Sequence, residues 1–306
     1  MRKVIGIGET ILDILFKENQ PTAAVPGGSV FNGIISLGRL GVNVSFISET
    51  GNDKVGDIIL KFMRENGVST DHVNVFPEGK SPVSLAFLNE HNDAEYLFYK
   101  DYPRLRLDVT MPEIHRDDIV MIGSYYAVTP QLRDKVKELL DYARGQGAII
   151  YYDVNFRSTH RNEAIKLLPT ILENFEYADI IRGSIDDFEN MFGLTDADKI
   201  YKSKIEFYCP HFICTHGGKE IRLCTKGIKK YYEVEPLQTV STVGAGDNFN
   251  AGVVFGLLKY RIRRDDLDEL SEEDWDHVIR CGKDFSANVC MSLNNSISKE
   301  YAAGYQ

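Results

Sequence analysis

No apolar run in the 306 residues approaches the ~20 needed to cross a bilayer, so a membrane-spanning protein is not expected. Basic residues are also in short supply. Lys and Arg total 35 against 45 Asp and Glu, a formal charge of -10. Nucleic-acid binders usually present a basic face, so that balance argues against such a partner. The one compact basic cluster, "KYRIRRDD", runs straight into acids and reads as a solvated helix end. The five cysteines (209, 214, 224, 281 and 290) contain no CxxC pair. Buried reduced thiols are therefore expected, rather than a disulfide framework or structural zinc. The seven histidines have no HExxH-like spacing, which disfavours a His-held transition metal. Internal repeats, Pro/Ser-rich linkers and low-complexity segments are missing too, and one domain over residues 1–306 is expected. The opening "MRKVIGIGETILDILF" starts like a signal peptide, but Glu9 and Asp13 interrupt it and no small-residue cleavage site follows. We read it as a first buried strand of a cytoplasmic protein.

What is present is an alternation of strand-like and helix-like segments. "KVIGIG" (3–8) is a short apolar run ending in glycine, as expected of a buried parallel strand. From Gly27 to Gly41, Phe31, Ile34, Ile35 and Gly38 fall on one helical face. "VSFISETG" (44–51) reads as a strand, followed by a helix ending at Gly67. Thr129-Pro130 opens an amphipathic helix with Leu132, Val136, Leu139, Leu140 and Ala143 on one side. Gly145 and Gly147 lead from it into the strand "AIIYYDV", and a further unit ends at "ADIIRGS". Such units predict an α/β fold with a mainly parallel central sheet and helices on both faces. Residues 9–26 and 81–101 break the rhythm with alternating apolar positions and polar turns, "NEHND" making a hairpin tip. They form either a small separate sheet or extra edge strands on the main one.

Chemistry concentrates in "STVGAGDNF" (241–249), where two glycines, an alanine and one carboxylate precede an apolar helical run. Phe249, Val253, Val254, Leu257 and Leu258 start that helix near Gly246. The first amides of a helix lack internal acceptors and carry partial positive charge. Glycines 244 and 246 would let a phosphate reach them, and Asp247 in the first turn can take a proton from a hydroxyl. The alternative is an acid that merely favours the helix dipole, worth ~0.3–1 kcal/mol. A GxxxxGK[ST] loop is absent, and "GIGETI" has no third glycine for a dinucleotide fingerprint.

"VSTVGAGDNFNAG" and "PGGSVFNGIISLGRLGVNVSFISETGNDKVGD" resemble the carboxy- and amino-terminal signatures of the ribokinase-like (PfkB-type) carbohydrate kinases, in the expected order. The resemblance covers essentially the whole chain. It implies a three-layer α/β/α fold with a small β-sheet lid at about 9–26 and 81–105, and a possible homodimer through that lid. It also implies transfer of the γ-phosphate of ATP, with Mg²⁺, to a hydroxymethyl group of a small sugar, fructokinase-like. By the same resemblance Asp247 is the base, and the amides of Gly244, Ala245 and Gly246 are the anion hole. Asp13, Gly27, Gly28 and Asn32 match the sugar side; Gly27-Gly28 otherwise reads as a plain turn. Arg157, in "YYDVNFR", matches a contact to sugar or phosphate oxygen, with a surface ion pair as the alternative. Thr215, Gly217, Thr242 and Asn288 match the nucleotide side, Asn288 having a helix-surface role as its alternative.

Three departures stand out. Ser241 replaces an Asp that helps hold a monovalent cation, which leaves potassium activation in doubt. The metal-organising N-x-x-E reads Ser184-x-x-Asp187, where Asp187 keeps a shorter carboxylate able to bind Mg²⁺ through water. Glu220 stands where the nucleotide loop has its last glycine. Other acceptors remain open: a 2-keto-3-deoxy sugar acid, for which Arg104 and Arg106 are candidate partners, ribose or a nucleoside. A non-catalytic sugar- or nucleotide-binding relative is the reading from another class; an intact Asp247 argues against it.

Overall fold

The computed structural model describes residues 2–88 and 94–305; the expected "NEHND" tip (89–93) lies outside them. The first half runs β1 (Val4–Ile7), β2 (Ile11–Lys17), β3 (Gln20–Gly27), α1 (Ser29–Arg39), β4 (Val44–Gly51) and α2 (Lys54–Glu65). It continues through β5 (Val73–Phe76), β6 (Lys80–Leu88), β7 (Ala94–Asp101), β8 (Ile119–Gly123), α3 (Arg133–Gln146) and β9 (Ile149–Asp153). Next come α4 (Ala164–Tyr177), β10 (Ile180–Ser184), α5 (Ile185–Phe192), α6 (Ala197–Ile200), β11 (Phe212–His216), β12 (Glu220–Cys224) and β13 (Lys229–Glu233). The chain closes with α7 (Ala245–Lys259), α8 (Glu272–Cys290) and α9 (Lys299–Gly304).

A nine-stranded sheet has the order β13-β12-β11-β10-β9-β8-β1-β4-β5. From β11 to β5 every pairing is parallel, and β12 and β13 add an antiparallel edge. Strands β1 and β8, and β9 up to Asp153, are apolar because both faces are buried. One face carries Phe31, Ile34 and Ile35 of α1 with Val253, Leu257, Trp275 and Ile279 of α7 and α8. The other carries Val136, Leu139 and Leu140 of α3 with Phe175 of α4 and Phe188 of α5. This is the expected three-layer arrangement. The predicted helix at Thr129-Pro130 is modified: Pro130–Leu132 forms a single 3₁₀ turn, and α3 begins at Arg133. It runs through Gly145 and ends at Gly147, with a left-handed φ of 74°.

The strands that break the α/β rhythm form a separate four-stranded sheet, β3-β2-β6-β7. It is mixed, since β2 pairs antiparallel with β3 but parallel with β6. Alternation puts Asp13, Ser84 and Tyr96 on one face and Ile14, Leu85, Leu97 and Tyr99 on the other. All five cysteines are buried and unpaired. Among the described residues no helix is long and apolar enough to cross a membrane.

Candidate active site

Helix α7 starts on Gly244, whose φ of 79° is left-handed and favours a glycine. A Cβ there would also lie 2.8 Å from the carbonyl oxygen of Asn295. Of the three amides expected to form an anion hole, that of Ala245 instead donates to the Thr242 carbonyl at 3.2 Å and closes a turn. Among the described residues the amides of Gly244 and Gly246 meet no acceptor. Asp247 follows in the first turn and is 9% exposed, so it is enclosed without being sealed in. Its Oδ1 accepts from Ser29 Oγ at 3.0 Å and its Oδ2 from Asn32 Nδ2 at 2.8 Å. Ser29 is held in turn by Asn155 Nδ2 at 2.8 Å. Burial pushes the Asp247 carboxyl above its ordinary range, against the pull of Asn32, Arg157 and Ser29.

A second acid faces the same space. Asp13 on β2 is 7% exposed and accepts hydrogen bonds from Ser84 Oγ and, at 3.3 Å, from Asn295 Nδ2. Burial pushes its carboxyl up to about 6, tempered by the Ser84 bond and the charge of Arg157. Gly27 must lack a side chain, because a Cβ would come within 2.5 Å of Asp13 Oδ2. Gly28 has a φ of 136°, and a Cβ on it would strike the Glu9 carbonyl oxygen. Together they form a bare backbone shelf between Asp13 and α1. Tyr96 of β7 stacks on Phe98 at 5.7 Å beside the shelf. The exposed Arg157 lays its guanidinium 5.3 Å from the Tyr96 ring centre and has no ion-pair partner among the described residues.

On the far side of Gly246 lies Arg182 of β10. Its guanidinium is so close that a Cβ on Gly246 would meet it at 3.2 Å. It pairs with Asp153 at 3.0 Å and donates to Thr215 Oγ1 at 2.5 Å. Asn250 of α7 bonds the other Asp153 oxygen at 2.8 Å. Burial opposes the Arg182 charge, but Asp153 and Asp187 more than offset it, so the guanidinium stays protonated. Thr215 is thus linked to the helix start through Arg182.

The remaining expected residues make local contacts of their own. Asp187 Oδ2 is occupied by the Ser184 amide at 2.6 Å and the Ser184 hydroxyl at 2.8 Å, a capping box at the start of α5. Its Oδ1 accepts nothing among the described residues. Gly217, with φ 52°, is an exposed turn glycine between β11 and β12. Thr242 is exposed and contributes the carbonyl that Ala245 meets. Asn288 Oδ1 accepts from the Ser298 amide at 3.2 Å, tying α8 to α9. Ser241 Oγ accepts from the Val243 amide at 3.2 Å in a local turn. Glu220 is exposed. Arg106 is not an exposed charge: it pairs with the buried Glu49 and stacks 3.5 Å from the Tyr102 ring centre.

Sequence reasoning did not single out Ser29, Ser84, Tyr96, Arg182 or Asn295. For Ser29 a signal existed, since it directly follows the glycine pair on which α1 begins.

Residues 1–300 match the profile of the pfkB family carbohydrate kinases. The chain belongs to that family. Membership makes it a phosphotransferase with an alcohol group as acceptor. This kinase is 24% identical over 313 residues to probable fructokinase-4 of Arabidopsis thaliana, covering 96% of its own chain and 90% of the relative. It is 28% identical over 248 residues to a 5-dehydro-2-deoxygluconokinase of Geobacillus thermodenitrificans, covering 76% and 72%. Fructokinase from Vibrio cholerae O395, solved with fructose, ADP and calcium ion, superposes with a TM-score of 0.84 at 17% identity over 100% of this chain and 99% of that one. Fructokinase of Xylella fastidiosa with bound ATP gives 0.82 at 19% identity, covering 99% and 97%. These likenesses establish the ribokinase-like fold.

Proposed function

We propose that this kinase transfers the γ-phosphoryl group of ATP to a hydroxymethyl group of a small neutral sugar, in the manner of a fructokinase. The observation that carries the reading is Asp247: a carboxylate in the first turn of α7, oriented through both oxygens, beside helix-start amides without acceptors. ATP supplies the phosphoryl group. Asp247 takes the proton of the attacking hydroxyl, and Ser29 and Asn32 fix the carboxylate in the attitude this requires. Gly244 and Gly246 offer their amides to anionic oxygens, with the Arg182 guanidinium adding charge behind them. Asp13 and the shelf of Gly27 and Gly28 hold sugar hydroxyls against backbone. The lid excludes water that would compete for the phosphoryl group.

Mg²⁺ fits the residues present. No cluster of three metal-ligating side chains exists among the described residues, but Mg²⁺ is commonly held by one carboxylate with phosphates and waters. The free Oδ1 of Asp187 would take it through water, and the ion would neutralise phosphate charge. A monovalent cation is not part of the proposal, since Ser241 forms a turn where a carboxylate would be needed.

A sugar-acid acceptor is the second reading, favoured by Arg157 without an ion-pair partner at the rim. Arg106, paired with Glu49, gives it no support. The test is ADP release with Mg²⁺ over free sugars, 2-keto-3-deoxy sugar acids, ribose and nucleosides. Stimulation by a neutral ketose above all others is expected; a flat response across the panel would refute the assignment. We also propose that two copies pair through the outer face of the lid, where Leu97 and Tyr99 are 49% and 59% exposed.

A further inference from the structure

Two buried asparagines in the cradle share one arrangement. Asn32 donates its amide to Asp247, Asn295 donates its amide to Asp13, and each is left with a buried Oδ1 that has no partner. A buried acceptor without a donor is uncommon in a folded protein and calls for an explanation. Turning the Asn295 amide over would not help, because its oxygen would then face the Asp13 carboxylate. Asp13 therefore fixes which way the amide points.

Asn295 is also pinned through its main chain. Its carbonyl accepts from Asn248 Nδ2 at 2.8 Å and packs against Gly244 at the helix start. Next to it, Ser296 Oγ donates to the Asn32 carbonyl at 3.0 Å and the Ile297 amide to Ser36 Oγ at 3.1 Å. The side chain is 3% exposed, and its Nδ2 lies 3.0 Å from the position of a Cβ on Gly27. The segment thus holds an unpartnered acceptor beside Gly27 and Asp13.

We propose that Asn295 is a specificity-determining residue: its Oδ1 accepts a hydrogen bond from a hydroxyl of the sugar while its Nδ2 holds Asp13 in place. The inference rests on the sugar-kinase reading. It specifies the ligand as a polyol that offers a hydroxyl donor at that point, since a carboxylate or a deoxygenated carbon cannot fill the vacant bond. A site built to bond a hydroxyl rejects the analogue lacking it strongly.

The experiment measures kcat/KM for the preferred sugar and its set of monodeoxy analogues, with wild type and Asn295→Ala. Wild type is expected to discriminate against one deoxy position by on the order of 10²-fold. In Asn295→Ala that penalty should fall to a few-fold, with the KM for ATP unchanged. A merely structural loosening of Asp13 would instead raise KM for every analogue alike. If wild type turns over the sugar and Asn295→Ala keeps the same penalties, the inference is overturned. Should the alanine variant fail to fold, Asn295→Asp takes its place, with the acceptor kept and the donor lost. That variant should retain the deoxy penalty while its KM for the sugar rises; an unchanged KM would contradict the proposal. If no sugar is turned over but one binds in calorimetry, the kinase reading fails and the same panel judges Asn295 through binding constants. Absence of both turnover and binding overturns both.

Discussion

Asp13 and Asp247 are both raised by burial, yet their proposed tasks differ, and pH separates them. Asp13, at about 6, accepts sugar hydroxyls as a carboxylate above that value and loses this capacity as pH falls through it. KM for the sugar should therefore rise between about pH 7 and 5, while KM for ATP stays level. Asp247 is required ionised as a base, so kcat should show its own loss on the acid side. The sign for stability is the reverse. A carboxyl whose folded pKa lies above its unfolded value of 3.8 destabilises the fold when ionised, and the cost is relieved as pH falls. Asp13→Asn should accordingly raise stability at neutral pH, by on the order of 3 kcal/mol, while sugar affinity collapses. Denaturant titration alongside steady-state kinetics checks both halves. A variant that is less stable, or that binds sugar normally, would contradict the role given to Asp13.

Elements were legible in the sequence wherever a local rule decides them. The buried faces of α1 and α3 follow from apolar spacing, and the end of α3 from the left-handed Gly147. The start of α7 was legible within a residue for the same reason. Contacts between elements were not. Asn295 reaches Asp13 across 282 residues of chain, and nothing in "SLNNSIS" announces it. Arg182 reads only as part of a strand until β9, β11 and α7 are assembled around it. At Ser184-x-x-Asp187 the resemblance gives a shortened metal motif, and the structure shows a capping box in its place. The structure satisfies the local rule first, with both Ser184 donors on one Asp187 oxygen. Ala245 is similar: turn closure uses an amide that a list of helix-start residues assigns to an anion.

At the scale of the whole molecule, the parallel strands bring Asp153, Arg182 and Thr215 to their carboxyl ends on the same side of the sheet, while the inserted strands carry Asp13, Ser84 and Tyr96 over it. The cradle lies between these two sheets. The outer lid face, with Leu97 and Tyr99 in the open, is the proposed dimer surface. Sedimentation should find a dimer that Leu97→Asp with Tyr99→Asp converts to monomer; a wild-type monomer at all concentrations would remove that proposal. The central claim is that Asp247 acts as the base beside open helix-start amides. Single-turnover kinetics of Asp247→Asn, with ATP affinity measured by calorimetry on the same sample, test it most directly. A fall in the chemical step of about 10³-fold or more with ATP affinity within a few-fold is predicted, and a variant that transfers phosphate within tenfold of the wild-type rate would contradict the account.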